Sequence, residues 1–455
     1  MTAPHVSEHT QRLAEYIAAG TDAALPGSVV EKACAHILDT VAAMVSGSRL
    51  PPGERGAGFA GMQRGSGRST VIGTKLNTSA FDAALANGMS AHADETDDSH
   101  PGSLSHPGCA IVPAAIAVAE EQSRSGLDLV RAVVVGYDVG TRVVLALGRP
   151  PVLTAQSGYS THAYVGQFGS AAAASVLYRL GERSARHALS YAAQSAGGVN
   201  TWLRDGNHVE KAYVFGGMPA TNGVRAAALV SSGCDGVEDV FVGHPNFLDA
   251  ISPRANVEHL CDGLGDRYEV QRTNIKKFAV GSPAQAAVQA ALEIVERHDP
   301  AVDDIEKVEI VLPGDLAHVV DSREMPDINV QYLVSGTLQD REFSFAMAHD
   351  VERMRAERSA ELIAKCSLVA DNAVAGVRAA TVTVTLAGGA VLRSHVGAVR
   401  GTVDDPMTAA ELTEKARDLM EPVLGAAGCR RVLEAVQHLP ELGDAHELGS
   451  LLVTA

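Results

Sequence analysis

The alanine-rich stretch Gly169–Leu180 is the feature that most constrains how this chain can fold. It contains four consecutive alanines flanked by small and apolar residues. Alanine favours helix but offers little side-chain volume, so such a helix is buried only by packing closely on other helices. His187–Ala196 and Asn222–Ser232 repeat this pattern. No glycine-rich nucleotide loop follows a predicted strand. The pattern therefore predicts a helix-on-helix core rather than a parallel sheet.

Other segments of the first half are also typical of helices. Ser7–Ala19 and Ser28–Val45 place apolar residues at three- and four-residue spacing. Ser125-Gly-Leu-Asp128 predicts a capping box for a helix over Gly126–Leu147, because the serine and the acidic residue can each accept a backbone N–H of the first turn.

The pattern changes after about residue 268. Lys307–Leu312 and Ala380–Leu386 alternate apolar and polar residues with period two, which predicts strands. Gly388-Gly389 separates the second of these from Ala390–Val396, which predicts a hairpin.

Helices are predicted again between and after these strands. Ser282-Pro-Ala-Gln285 is expected to open a helix over Ala286–Arg297, with serine at the N-cap, proline at N1 and glutamine at N3. Helical character returns from Thr408 to about Val436. We therefore predict a mainly α protein, with a large all-helical domain formed by residues 1–268 and 405–455 and a smaller α+β domain, 269–404, inserted into it.

Composition restricts the kinds of partner this chain can have. Its net charge of −17 argues against binding nucleic acid or anionic membrane surfaces. The six cysteines form no Cys-x-x-Cys pair, there is no secretory apolar segment, and no apolar run reaches the length of a membrane span. We expect a soluble cytoplasmic protein with free thiols.

The segment His92–Pro107 carries the clearest chemical signal. It holds four acids and three histidines within sixteen residues. Neighbouring like charges repel each other and buried charges must be paired, so this density indicates an acid–base active site. His106, just before the predicted helix at Ala110, has the imidazole pKa suited to proton transfer. The alternative is that these histidines are surface or capping residues with solvated acids between them.

Three other segments contain candidate residues. Lys211 precedes a Gly-Gly turn and a helix of small residues, where its ammonium could bind a substrate carboxylate, although an exposed lysine paired with Glu210 has the same pattern. Lys276 and Lys277 precede an apolar residue and the predicted helix cap, as in an anion-binding corner or a solvated charge pair. Tyr332 is either a site residue or part of the core.

Taken together, these segments resemble the MmgE/PrpD family, which includes 2-methylcitrate dehydratase, cis-aconitate decarboxylase and iminodisuccinate epimerase. The resemblance extends from about residue 8 to residue 440. The family signature His-Ala-x-Asp-x-Asp-Asp-Thr-His, followed by His-Pro, matches residues 92–100 and then 106–107. Asp97, Asp98 and His106 match directly, whereas Glu95 replaces an aspartate and Ser99 replaces a threonine.

The resemblance implies roles for particular residues. In the decarboxylase branch, the active site is lined by the positions that match Glu95, Ser99, His106, Lys211, Lys276 and Tyr332. By this resemblance, Lys211 and Lys276 hold substrate carboxylates and His106 exchanges a proton at carbon. Tyr332, together with Asp97 or Asp98, orients the reacting groups or relays a proton. A homodimer is also implied, with the helical domains at the interface and the inserted domain as a lid.

The sequence departs from the family pattern at two places. The family histidine that lies six residues before Gly166-Gln-Phe-Gly169 is replaced by Ser160, so His162 is the candidate to take its role. The cysteine and histidine that follow the second family lysine are replaced in Gly281–Gln285. Ser160, His162, Lys277 and Gln285 therefore join the predicted substrate-binding residues, and the substrate need not be that of the named members.

We predict a lyase, either a dehydratase or a decarboxylase, that needs no cofactor or metal and acts on a small di- or tricarboxylate. Preorganised cations would stabilise a carbanion or enediolate beside a carboxylate. The first alternative is an epimerase of a dicarboxylate such as iminodisuccinate, and a further one is a non-catalytic carboxylate-binding protein. A terpene synthase, with Asp94–Asp98 as a Mg²⁺ cluster, is disfavoured by the 4% aromatic content and the lack of a second metal motif.

Overall fold

The computed structural model describes residues 6–63, 65–148, 158–374 and 378–454. Helices make up most of this part of the chain and strands make up little of it, which confirms the predicted mainly α class. The chain divides into two compact units. The first comprises Met1–Ala93, Asp97–Thr273 and Leu412–Ala455, and the second comprises Asp94–Thr96 and Asn274–Glu411. The sequence predicts domain boundaries at 268/269 and 404/405, and nothing in it indicates that residues 94–96 of the acidic segment belong to the second unit.

The first unit is built from helices that follow one another with short connections. Before the second unit begins these are α1 Glu8–Ala19, α2 Gly27–Gly47, α3 Pro51–Met62, α4 Ala80–Ala91, α5 Gly108–Glu121, α6 Gly126–Ala146, α7 Thr161–Leu177, α8 Glu182–Gln194, α9 Val209–Ala212, α10 Met218–Ser231 and α11 Phe247–Ile251. A small ribbon pairs β1 Ser69–Thr70 with β2 Asn77–Thr78. The predicted helices of the first half are therefore confirmed.

The predicted capping box is also confirmed. The Asp128 backbone N–H donates to the Ser125 hydroxyl at 3.1 Å, and the Ser125 backbone N–H donates to the Asp128 carboxylate at 3.4 Å. Ser7 caps α1 in a similar way, because its hydroxyl accepts from the Thr10 backbone N–H.

Helices α6 and α7 pack with their backbones in contact. A methyl group added at Gly140 would lie 2.3 Å from the Val165 carbonyl oxygen, and one added at Gly169 would lie 2.7 Å from the Gly136 carbonyl oxygen. Only glycine fits at such distances. This close approach explains the alanine run of α7, whose side chains are buried throughout.

The second unit contains a four-stranded sheet and the remaining helices of the middle of the chain. These elements are α12 Gln285–His298, β3 Ile305–Leu312, α13 Gly314–Val320, α14 Val330–Asp340, α15 Phe345–His349, α16 Val351–Arg355, α17 Glu357–Ala364, β4 Cys366–Ala370, β5 Ala380–Leu386 and β6 Val391–Val396. The strand order is β4-β3-β5-β6, with β3 and β4 parallel and the other pairs antiparallel. The predicted hairpin is confirmed, and Gly389 at its turn has φ +81°.

The predicted helix over Ala286–Arg297 is confirmed as α12, but its predicted N-cap is wrong. Ser282–Ala284 forms a separate 3₁₀ turn, and the helix begins at Gln285 without a side-chain cap. The Gln285 amide donates instead to the carbonyls of Phe278 and Val280, at 2.7 and 2.8 Å, and its oxygen accepts from the Phe278 backbone N–H. The glutamine therefore satisfies the loop before the helix rather than the N-cap residue.

The end of the chain returns to the first unit. Helix α18, Ala409–Gln437, is interrupted at Gly425, which has φ +69°, and α19 covers His446–Leu451. Lys415 of α18 pairs with the buried carboxylate of Asp39 in α2 at 2.5 Å. Within the described part of the chain, no helix has both the length and the apolarity that crossing a bilayer requires. None of the six cysteines, all of which lie in the described part of the chain, forms a disulfide.

Candidate active site

The acidic segment between α4 and α5 is buried, so the alternative of solvated surface residues is wrong. His92, Asp97 and Asp98 have no exposed surface, and His100 is 2% exposed. His100 is held by Ser103 at 2.8 Å and by Glu269 at 3.1 Å. This histidine therefore fixes the loop, whereas His92 and His106 lie at the two ends of the segment, next to the helices that hold them.

Asp98 anchors this loop to the surrounding helices. One carboxylate oxygen accepts from the Tyr137 hydroxyl at 2.6 Å and lies 2.9 Å from Nδ1 of His36, and the other accepts from the Gly108 backbone N–H at 3.0 Å. Burial and the Asp98 charge raise the pKa of Tyr137 well above its usual value, so the phenol stays a donor. Asp98 thus stabilises the N-terminus of α5, where a negative charge is favourable.

Asp97 has different neighbours. Its Oδ2 lies 3.0 Å from Nδ1 of His92, and its Oδ1 lies 3.3 Å from Nδ1 of His106. One buried carboxylate therefore links two imidazoles. A carboxylate beside Nδ1 favours the tautomer that carries its proton there, which leaves Nε2 available for proton exchange.

Three imidazole rings gather around Phe215, and a fourth lies against one of them. His162 stacks on Phe215 with ring centroids 3.7 Å apart, and His92 stacks on it at 4.3 Å. His106 lies 5.1 Å from His162, and His208 lies 5.2 Å from His92. We call His92, His106, His162 and His208 the histidine cluster.

The backbone around Phe215 has an unusual conformation. Tyr213–Gly217 forms a π-helical turn between α9 and α10, a feature frequent at functional sites. A methyl group at Gly216 would lie 2.0 Å from the Gly88 carbonyl oxygen, so this turn packs directly on α4. His208, before α9, has φ +64°, which is uncommon for a residue with a side chain. The Gly-Gly pair therefore continues the helix and does not form the predicted turn.

Lys211 lies beside the histidine cluster. Its Nζ is 5.4 Å from the centre of the Trp202 ring and 5.3 Å from that of Phe215, both within cation–π range. Glu210, the partner expected if Lys211 were an ordinary exposed lysine, accepts a hydrogen bond from Thr201. The structure thus brings Lys211, His106 and Asp97 into one region of the first unit.

His162 is neutral near pH 7. Burial lowers its pKa well below the usual value, and the positive charges of His106, His92 and Lys211 lower it further. Ser160, which occupies the position of the family histidine, is fully buried before α7, and its hydroxyl has no hydrogen-bond partner among the described residues. Of these two residues, His162 and not Ser160 belongs to the histidine cluster. Ser99 is also buried in the first unit.

In the second unit, Lys276 and Glu95 lie together. The Lys276 ammonium donates to the Glu95 carbonyl at 2.8 Å and lies 3.6 Å from its carboxylate. Asp94 pairs with His349 at 2.9 Å. Burial lowers the pKa of the Arg378 guanidinium to about 10, although the negative charge of Glu95 opposes this shift. Lysine, arginine and histidine thus surround two of the acids of the segment.

Three other predicted site residues lie in the second unit and contact other residues of that unit. The Tyr332 hydroxyl donates to the Met347 carbonyl at 2.8 Å, and burial raises its pKa to about 12. Gln285 bonds to the loop before α12, as described above. Lys277 is partly exposed, 3.8 Å from Glu411.

Some residues of the region could not be identified from the sequence. His208, Phe215 and Trp202 carry no motif, and His349 stands alone in the sequence far from the acidic segment. The one available signal was Gly216-Gly217 next to Phe215, because paired glycines indicate a close backbone approach.

Comparison with known proteins gives a consistent picture. The MmgE/PrpD N-terminal domain matches residues 11–260, and the MmgE/PrpD C-terminal domain matches residues 278–441. A cis-aconitate decarboxylase-like protein of Aspergillus oryzae is 28% identical over 62% of this chain and 61% of its own length. The cis-aconitate decarboxylase of Aspergillus terreus is 27% identical over 60% and 57%.

These two fungal relatives are therefore matched over less than two thirds of their length. The human cis-aconitate decarboxylase is 26% identical over 94% of this chain and 91% of its own length. The two family domains together cover most of the sequence. The chain belongs to the MmgE/PrpD family.

Proposed function

We propose that this protein is a cofactor-independent lyase that acts on a small di- or tricarboxylate, and that decarboxylation of cis-aconitate is the first reaction to test. The observation that carries the proposal is the grouping of His106, Asp97 and Lys211 around the Phe215 ring. An acid–base imidazole oriented by a carboxylate and accompanied by an ammonium suits chemistry at the carbon next to a carboxylate. Relatives named cis-aconitate decarboxylase supply the substrate to test.

In the proposed reaction, the bond between carbon and the departing carboxylate breaks, and its electron pair remains on the substrate as a carbanion. The Lys211 ammonium would stabilise a carboxylate of the substrate, including one that takes up this charge as an enediolate. The His106 imidazolium would donate its Nε2 proton to carbon, and Asp97 would hold the ring through Nδ1. In a dehydration, His106 would instead act first as a general base and remove a proton from carbon.

The roles of the second-unit residues are proposed from the family resemblance. Lys276 would bind a second carboxylate, and Tyr332 would orient the substrate. Within the second unit, the ammonium of Lys276 is buried beside Glu95. Asp98, because both of its oxygens accept hydrogen bonds from the fold, is proposed as a positioning residue rather than as a proton relay.

A homodimer is part of the proposal. Its support is the set of exposed apolar side chains on the first unit, where Phe59 is 44% exposed and Tyr213 is 41% exposed on the wall of one cavity of about 700 Å³. Large exposed apolar patches commonly mark protein interfaces. Light scattering coupled to gel filtration tests this, and a mass of one chain would contradict it.

The decisive experiment is NMR of the purified, EDTA-treated protein in D₂O with cis-aconitate, 2-methylcitrate, citrate or iminodisuccinate. We expect one of them to give a product with deuterium at carbon. The His106→Gln variant should lose roughly 10²–10⁴-fold in turnover, whereas His438→Gln, at a histidine whose side chain is 56% exposed, should not. Binding of these acids without turnover or exchange would instead support the carboxylate-binding alternative.

A further inference from the structure

Three side chains of the first unit are placed so that they could hold one metal ion. His92, Asp97 and His106 each offer one ligand atom, and these atoms all lie within 4.8 Å of one another. Two imidazoles and one carboxylate are a common set for zinc and other first-row divalent metals, and this set leaves coordination positions for water or a substrate oxygen.

Two separations, those between the imidazole nitrogens and the carboxylate, are close to the separations that a metal requires. Nδ1 of His92 and Nδ1 of His106 lie 3.0 and 3.3 Å from the two oxygens of Asp97. In a tetrahedral site with bonds of about 2.0–2.2 Å, neighbouring ligand atoms are roughly 3.3–3.6 Å apart. The two measured distances lie at or just below this range, and all three ligand atoms lie within 4.8 Å of one another.

The surroundings of these side chains also suit a bound ion. His92 and Asp97 are fully buried, and neither ring nitrogen of His92 makes a hydrogen bond to a described residue. The side chain of His106 is 11% exposed, which gives an ion access from solvent. The stacked ring of Phe215 fixes the orientation of His92.

We propose that His92, Asp97 and His106 bind one divalent transition-metal ion of the Zn²⁺ class, and that the bound ion inhibits the enzyme. The inhibitory role rests on the proposed function. An ion bound to Nδ1 of His106 would take the place of the 3.3 Å contact between this nitrogen and Asp97. Asp97 would then no longer orient the His106 ring, and both side chains would be held by the ion instead of serving the reaction.

Metal binding is tested without any substrate. Titration calorimetry of EDTA-treated protein with ZnCl₂, together with the absorption spectrum of the Co²⁺ form, should show one ion per chain. Replacing one of the three ligands, as in His92→Asn, should weaken binding by roughly 100-fold or more. His162→Asn is the matched control, because this ring lies in the same histidine cluster but outside the proposed ligand set. Equal affinity in both variants would overturn the site.

Two measurements keep the test decisive if His92→Asn folds poorly. Anomalous diffraction from wild-type crystals soaked in Zn²⁺ should show a peak between His92, Asp97 and His106, and peaks only at other histidines would overturn the proposal. If a substrate is turned over, saturating Zn²⁺ should abolish turnover and EDTA should restore it. Full turnover with Zn²⁺ bound to His92, Asp97 and His106 would refute inhibition. Absence of turnover by the metal-free protein would count against the proposed function alone.

Discussion

At the scale of single residues, adjacent carboxylates in one loop have different surroundings. Asp98 accepts hydrogen bonds from Tyr137 and Gly108, so its oxygens hold the loop against α5. Asp97 faces two imidazoles instead. The sequence presents them as an Asp-Asp pair and predicts the same roles for both. What separates them is which helix each side chain meets, and that depends on the tertiary packing.

This difference predicts that two conservative substitutions affect different properties of the protein, one its turnover and the other its stability. Asp97→Asn should lower turnover by roughly 10²-fold or more while leaving the fold intact, because the amide cannot stabilise the His106 imidazolium. Asp98→Asn should instead lower the free energy of unfolding by about 1–3 kcal/mol, because a buried charged acceptor is lost. Steady-state kinetics and urea unfolding separate these outcomes. Asp235→Asn, at a residue whose side chain is 80% exposed, is the control for both measurements.

Lys211 is expected to contribute to substrate binding through its charge. Lys211→Met should raise KM for the carboxylate substrate by roughly 10-fold or more, because a buried ionic contact to the substrate is lost. Lys211→Arg keeps the charge and the contact with Trp202 and should recover part of the affinity. Quenching of Trp202, the single tryptophan, follows binding directly. If Lys211→Met binds as tightly as the exposed-lysine control Lys75→Met, the proposed role is wrong.

At the scale of secondary-structure elements, the sequence predicts most helices and the β5–β6 hairpin correctly because their periodicity and caps are local. It fails where a tertiary contact decides. The predicted N-cap of α12 is wrong because Gln285 bonds to the preceding loop rather than to the N-cap residue. The π turn is missed because Gly216-Gly217 looks like a chain reversal, whereas its glycines allow the backbone to pack on Gly88.

This packing predicts the effect of adding one methyl group. Gly216→Ala should lower the free energy of unfolding by about 2–4 kcal/mol, because the new Cβ would overlap the Gly88 backbone. It should also shift Trp202 emission, since the Trp202 and Phe215 rings are 4.7 Å apart. Gly58→Ala, in α3, is the control. No atom lies within 4 Å of its Cβ position, so this variant should raise the free energy of unfolding by about 0.5–1 kcal/mol. Equal stabilities for the two variants would contradict the packing argument.

At the scale of the whole molecule, the acidic segment contributes to both units. Its residues 94–96 belong to the second unit, while His92, Asp97 and His106 belong to the first. The sequence indicated that this segment was functional because its charge density is unusual. It could not reveal the histidine cluster, since His162 lies in α7, His208 lies just before α9, and the position of Phe215 depends on the π turn. Nor could it reveal His349, the partner of Asp94.

The Asp94–His349 pair predicts how the stability of the protein depends on pH. Burial alone would lower the pKa of His349, but the Asp94 carboxylate, with help from Asp327, raises it from 6.5 to about 9. Folding therefore favours the protonated ring. The stabilisation is fully present below pH 6.5 and is lost as the pH rises through 9. A shift of this size corresponds to at most about 3 kcal/mol.

The measurement is urea unfolding of wild type and His349→Gln across this pH range. Wild type should be the more stable by the largest margin at pH 6.5 and below. The margin should shrink steadily toward pH 9, because in this range the folded protein keeps the His349 proton that the unfolded chain releases. His298→Gln, at an exposed histidine, should show no such trend. A stability difference that stays constant with pH would contradict this prediction, because it would mean that Asp94 and His349 interact only as neutral or packing partners.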